Sequence, residues 1–299
     1  MIQEEDGAMK AYEWMVKPTP QTEWIDGRGI LFWIAFFFIE LGAATFLVSS
    51  LFGNLFGEFI GWLMCAVLGG GFHLVYLGHP FRFYRMILRP QTSWISRGLL
   101  FVTGFLTLGF IHMALSLWAA SNVVLLVVTN VLAFLAIIYG GFAMSYIRGI
   151  PLWNSALLPV LYTVAGLWGG AELSAVVELQ RGGPGNAMLE DLIKILLAAF
   201  IIIFPTYLIT ARYGLAAGRT SVSEIVKGKW WPLFWVGVIL FGIVLPIGVI
   251  ITSLVLGISG IPVTLLYFSV VFELIGDLIL RYLILKAGYY NPLVPMPGA

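Results

Sequence analysis

The sequence predicts an all-α integral membrane protein with eight transmembrane helices. Three observations carry the eight-helix prediction. Of the 299 residues, 60% are hydrophobic and only 10% charged, against about 25% charge in a soluble globular chain. So little charge cannot coat a surface facing water, whereas lipid requires no such coat. Eight apolar runs also reach the about 20 residues needed to cross a hydrocarbon layer. Finally, the links between runs alternate between basic and non-basic, as expected if each run carries the chain to the other side.

Residues 1–28 are mixed in charge, lack the apolar core of a signal peptide, and read as an extramembrane segment, so insertion is expected to begin with the first span. The membrane domain covers 29–286, with spans at 29–51, 57–77, 98–119, 123–147, 152–177, 191–213, 231–256 and 263–286, and a tail follows at 287–299. Between the second and third spans, 79–97 is too polar to cross and alternates arginines with aromatic and aliphatic residues. It reads as an amphipathic stretch at the interface, either a headgroup anchor or a docking platform presenting Arg82, Arg85, Arg89 and Arg97. The fifth-to-sixth link holds Arg181 and the turn-rich run Gly182-Gly183-Pro184-Gly185.

The links after the first, third and seventh spans carry no Lys or Arg. The other side holds Lys10, Lys17, Arg28, the four arginines just named, Arg148, Arg212, Arg219, Lys227, Lys229 and Lys286. The inward bias of positive charge places this basic face, and both termini, in the cytoplasm, with the chain in the cell's inner (plasma) membrane.

Ionisable residues inside the spans are costly and so point to function by default. Glu40 lies mid-way along the first span, His73 near the basic-face end of the second, His112 toward the far end of the third and Glu172 near the far end of the fifth. Glu273, Asp277 and Arg281 share the eighth. Their spacing of four puts all three on one stripe, each about one turn from the next. Arg281 can neutralise Asp277, and Glu273 lies too far along the helix to be fully paired. The stripe reads as a structural ion pair or as a set of proton-handling groups, with His112 and Glu172 as further members. His73, Tyr139, Tyr146, Asp277 and Arg281 fall near the basic face; Glu40, Glu273, His112 and Glu172 lie deeper or toward the far face. Tyr139 could equally be a packing residue, and Tyr146 an interface anchor.

A net charge of +1 gives no sign of a nucleic-acid partner. The single cysteine, Cys65, is too few for a disulfide framework or for an iron–sulfur cluster of the chain's own. The three histidines are His73, His79 and His112. His73 and His112 differ in depth by about 15 Å along the helix axis, so no haem is expected, and no zinc-type ligand cluster appears.

Two segments carry a family resemblance. Leu77-Gly78-His79-Pro80-Phe81-Arg82-Phe83, continuing to Ser93-Trp94-Ile95-Ser96-Arg97-Gly98, resembles the signature after the second helix of the NrfD/PsrC family, the quinone-interacting membrane subunits of polysulfide reductase-like complexes. Pro151-Leu152-Trp153-Asn154-Ser155, followed by Leu157-Leu158-Pro159, is similar to the family's motif leading into the fifth helix. Gly42-Ala43-Ala44 and Arg281-Tyr282 also match family features.

The resemblance implies that the eight helices form two four-helix bundles, and it implies a division of labour. A catalytic subunit with a molybdenum or tungsten pterin does the substrate chemistry, and an iron–sulfur (ferredoxin-like) subunit carries electrons. The membrane subunit binds quinone or quinol, here expected to be menaquinone, near the docking face. By the resemblance, Tyr139 on the fourth helix is the best match for a quinone ligand, with His73, Tyr146 and Glu40 as further candidates. Glu40 stands on the helix where relatives carry a histidine. Proton transfer would run through Glu273, Asp277, Arg281, His112 and Glu172. Rival classes are a secondary transporter, which also uses intramembrane carboxylates and broken helices, a haem-bearing cytochrome b subunit, and a purely structural anchor without quinone.

Overall fold

The computed structural model describes residues 13–118, 122–181, 186–256 and 262–294. Lys10, the run Gly182–Gly185 and the last residues of the tail lie outside them. Among the described residues, eight helices are long and apolar enough to cross a membrane. They are α1 (Gly29–Leu51), α2 (Leu55–Tyr76), α3 (Trp94–Leu117), α4 (Val123–Ser145), α5 (Leu157–Gln180), α6 (Ala187–Arg212), α7 (Leu233–Thr252, winding on to Leu256) and α8 (Val263–Lys286).

Caps explain where several of these helices start. Four N-cap side chains accept bonds from backbone N–H groups of the first turn: Asn54 from Gly57 (3.0 Å), Ser93 from Ser96 (3.3 Å), Asn122 from Leu125 (3.1 Å) and Asn186 from Met188 (3.0 Å). Ser93 and Asn186 therefore start α3 and α6 four residues earlier than hydropathy suggests. At α5 the shift is the other way. Ile150, Leu152 and Trp153 are completely buried, but they form a turn in which the Trp153 and Asn154 N–H groups donate to Ile150 O (3.0 and 2.9 Å). A buried turn is as apolar as a spanning helix, so composition alone extends α5 back to 152.

The two ends of the chain are tied together on the basic face. Thr19–Pro20 pairs antiparallel with Tyr289–Tyr290, and the Gln21 N–H donates to Gly288 O (2.9 Å). Asp26 and Lys286 form an ion pair. The 79–97 stretch divides: Pro80–Leu88 winds as 3-10 turns, while Trp94–Arg97 forms the first turn of α3. A separate helix, Ala216–Val226, lies between α6 and α7.

The apolar core falls into two clusters. One is built by α1–α4 around Phe36, Phe46, Phe105 and Tyr139. The other is built mainly by α5–α8 around Trp153, Trp168, Phe200 and Tyr207. Helix α1 packs on α2, α4 and α5, and so borders both halves. Two segments depart from α geometry, Met64–Gly70 in α2 and Leu233–Val244 in α7, both π-wound. Such π segments recur at functional sites, and each one here lines a cavity.

Candidate functional site

The charged stripe of α8 faces inward and closes on α1. The Arg281 guanidinium donates two bonds to the Glu40 carboxylate, Nη1 to Oε2 at 2.5 Å and Nη2 to Oε1 at 2.9 Å, while its Nε donates to Asp277 Oδ2 at 2.9 Å. All three residues are buried, at 2%, 2% and 8% exposure for Glu40, Arg281 and Asp277. Fork-to-fork pairing of this kind is the strong form of an ion pair. The guanidinium also lies 4.5 Å from the Tyr162 ring centroid, a cation–π contact that holds it in plane. Glycine makes room opposite: a Cβ on Gly166 of α5 would lie 2.6 Å from Glu40 Oε1. Two carboxylates share one guanidinium, so the triad is neutral only when it also holds one proton.

Glu273, one turn before Asp277, is 1% exposed, and among the described residues neither of its carboxyl oxygens has a hydrogen-bond partner. Asp277 Oδ1 is likewise unpartnered. Glu273 and Asp277 both line a small cavity of about 10 Å³ against Trp168, Phe200 and Gly242, enough for about one water. Glu172 on α5 accepts a bond from Trp168 Nε1 (2.9 Å) through Oε1, and its Oε2 is buried without a partner. The carboxyl groups thus continue as a line beyond the Arg281 cluster toward the far face.

A second arrangement occupies the α1–α4 half. A cavity of about 260 Å³ lies between α2 and α3, lined by Ile39, Gly70, His73, Leu99, Thr103 and Tyr139, among others. It exists because α3 packs on the first part of α2, Leu55–Leu63, and the two helices separate beyond the π-wound segment. Tyr139 is 3% exposed. Its ring packs at a tilt against Phe36 (centroids 5.1 Å apart, planes at 36°) and presses on Gly98, where any Cβ would collide with it. His73 lies among Phe32 (5.6 Å), Phe36 (6.4 Å) and Tyr76 (6.4 Å), and its Nδ1 is buried without a partner. An imidazole that both donates and accepts, a phenol, two threonines and apolar walls suit a flat ring carrying oxygen at opposite edges.

The structure distributes the other sequence candidates differently. Glu40 is turned toward Arg281, although its neighbour Ile39 lines the cavity. Tyr146 caps α4 and is 62% exposed. His112 faces Glu58 at 3.1 Å near the far face, close enough for an ion pair but not aligned as a hydrogen bond. Glu58 is 4% exposed, and the sequence alone does not single it out, because an acid in the first turn of a helix ordinarily complements the helix dipole. Arg82, Arg85 and Arg89 are exposed. Arg97 instead donates to Pro90 O (2.6 Å) and Gln91 O (2.8 Å) and stacks on Trp94 (4.7 Å), so it fixes the loop. Among the described residues, no three His, Cys, Asp or Glu side chains gather as a metal site.

Fold and site together define a multi-pass membrane protein with a buried ion cluster joining its first and last spanning helices and an aromatic-lined cavity beside it. The chain belongs to the NrfD family: the family model described as "Polysulphide reductase, NrfD" matches residues 28–292. It is similar to Protein NrfD of Escherichia coli (strain K12), 31% identical over 210 residues, covering 68% of this chain and 61% of that protein. It is also similar to a selenate reductase subunit of Mesobacillus selenatarsenatis, 29% identical over 152 residues (47% of this chain, 33% of that one). A polysulfide reductase subunit of Wolinella succinogenes is 28% identical over 171 residues (54% and 52%). The chain spans less than two thirds of the length of each of these relatives.

Proposed function

We infer that this chain is the membrane subunit of a multi-subunit oxidoreductase, that quinone or quinol binds in the α1–α4 cavity, and that electrons pass to or from an iron–sulfur partner on the basic face. The observation that carries the reading is the pairing of His73 and Tyr139 in one cavity wall, with a buried His73 Nδ1 that has no hydrogen-bond partner among the described residues. Buried polar atoms are ordinarily satisfied, and a quinol hydroxyl would satisfy this one. Two relatives are named as subunits of a polysulfide reductase and a selenate reductase, which supports a reductase complex here, with a molybdenum or tungsten pterin subunit as the substrate-transforming partner.

The bound quinone would supply two-electron, two-proton chemistry. Tyr139 O–H would donate to one ring oxygen. His73 would hold the other ring oxygen, as donor to the quinone or acceptor from the quinol. Gly98 and Phe36 hold the phenol in place, and Ile39, Leu99 and Val102 exclude water. A charged ring is costly in such surroundings, so protons accompany the electrons. Asp277, Glu273, Glu40, Glu172 and His112 form the proton-transfer set, with Arg281 ordering it. The exposed Arg82, Arg85 and Arg89 provide a cationic docking surface, and the basic face lies on the cytoplasmic side of an inner (plasma) membrane.

Purification with native partners tests the reading. An iron–sulfur protein is expected to co-purify, a menaquinone analogue to bind, and Tyr139→Phe to weaken its binding about fivefold to tenfold, the worth of one hydrogen bond. A preparation with no iron–sulfur partner and no bound analogue overturns it.

A further inference from the structure

We propose that the Pro80–Leu88 segment links partner docking to ring binding: Phe83 roofs the α1–α4 cavity on its basic-face side, and a partner seated on Arg82 and Arg85 fixes it there. The proposal rests on the quinone reading and adds to it a positioning residue and a coupling between docking and ring affinity.

The segment faces two ways. Phe83 lines the cavity beside Leu77, just past α2, and Ile95 and Leu99 in the first turns of α3. Its chain neighbours Arg82 and Tyr84 are exposed, as is Arg85. With three residues to a 3-10 turn, successive side chains point about 120° apart, so one residue enters the cavity while those beside it turn away. Phe83 is 36% exposed, against 3% for Tyr139. Its ring is thus only partly inserted, and contact from outside can press it home.

One end of the segment is anchored and the other is jointed. Arg97 of α3 holds Pro90 O and Gln91 O, and the Ser93 N–H donates to Arg89 O (3.2 Å). At the opposite end Gly78 takes the left-handed conformation, φ +68°, which glycine adopts at no steric cost. The 3-10 bonds between these ends are made within the segment, so it can pivot on Gly78 without losing them. The stretch 79–97 contains no Asp or Glu to balance Arg82, Arg85 and Arg89. Their complement is an acidic protein face, the chemistry required of the iron–sulfur partner. Such a face removes the freedom to pivot and holds Phe83 against a ring in the cavity. Coupling of this kind is reciprocal, so the ring tightens docking by the factor with which docking tightens the ring.

An internal control lies on the other side of the membrane. A cavity of about 110 Å³ among the far-face ends of α5–α8 is lined by Glu172 and Ser269, remote from the segment.

Binding linkage tests the proposal. A menaquinone analogue is titrated into the chain in zwitterionic-lipid nanodiscs, with and without saturating co-purified iron–sulfur partner. The partner is expected to tighten the analogue at least fivefold, the lower end of typical coupling between sites, and the analogue to tighten the partner equally. Phe83→Ala is expected to bring both factors below twofold with the partner still bound. A wild-type factor near one, or a Phe83→Ala factor equal to wild type, overturns the proposal and leaves the quinone reading standing. Equal tightening by anionic lipid without the partner overturns it too, and assigns the segment to headgroups. A wild-type chain that binds no analogue defeats the quinone reading, and a chain that purifies without the partner defeats both. In the former case a nitroxide decides the roof, placed on Phe83→Cys in a Cys65→Ser background that removes the native cysteine. Its accessibility to a water-soluble nickel chelate is expected to fall at least threefold on docking, while the same label on Ser269→Cys is expected to be unaffected. No change at position 83, or an equal change at both positions, overturns the proposal.

Discussion

Arg281 on α8 and Glu40 on α1, 241 residues apart in the chain, are joined by two hydrogen bonds of 2.5 and 2.9 Å in the buried interior. The pair fixes the last spanning helix against the first. It also sets the α1–α4 cavity and the carboxyl line of α8 on opposite sides of one helix turn, Ile39 facing one and Glu40 the other.

Breaking this pair from one side leaves an uncompensated buried charge. Arg281→Ala strands Glu40 and Asp277 together and is expected to cost about 3–5 kcal/mol. The double variant Glu40→Gln/Arg281→Gln is expected to recover part of that loss. Thermal unfolding in detergent or lipid nanodiscs measures both, and additive single-variant losses would show that the two residues are not coupled.

Gly166→Ala places a methyl group 2.6 Å from Glu40 Oε1. Overpacking at such a contact costs about 1–3 kcal/mol, and here it displaces the carboxylate from Arg281. Stability is expected to fall in the wild type and to fall less in a Glu40→Ala background, where the clash is absent. Equal losses in both backgrounds would place the strain elsewhere.

Gly98→Ala acts on the cavity in α1–α4, because its Cβ would collide with the Tyr139 ring. Quinone-analogue affinity is expected to fall at least tenfold, about 1.4 kcal/mol. His73→Leu, which removes the unpartnered imidazole, is expected to weaken binding by a similar factor without loss of stability. Isothermal titration in nanodiscs reads both.

The buried turn before α5 and the exposed tie between the termini should respond very differently. Trp153→Phe removes the donor to Ile284 O (2.7 Å) in a fully buried setting, for an expected loss of about 1–3 kcal/mol. Asp26→Asn breaks the Lys286 ion pair, which is partly exposed, and is expected to cost under about 1 kcal/mol. Urea or thermal unfolding of the two variants gives the comparison.

The spans were legible because lipid imposes length and hydropathy on each element separately, and α1 and α8 begin and end where composition puts them. The α8 stripe was legible because a spacing of four is a property of the helix itself. Its partner was not. Glu40 read as a deep residue and Arg281 as one near the basic face, and only the reach of the arginine side chain unites them. Glu58 was missed because its significance comes from His112 on another helix. The π segments of α2 and α7 leave no periodic signature in so uniformly apolar a stretch, yet each lines a cavity. The buried turn at 150–154 shows the opposite failure, apolar residues that do not span.

The central claim is that the cavity lined by His73 and Tyr139 receives the quinone ring, and photoaffinity labelling tests it most directly. An azido-menaquinone analogue is photolysed with the protein in native-lipid nanodiscs, and the adducts are located by peptide mass spectrometry, with and without excess quinone. Adducts that quinone displaces are expected within residues 66–77 and 95–107 and at Tyr139, and are expected to be lost in His73→Leu. Adducts confined to the α5–α8 cavity beside Glu172, or spread evenly over lipid-facing helices and insensitive to competing quinone, would contradict it.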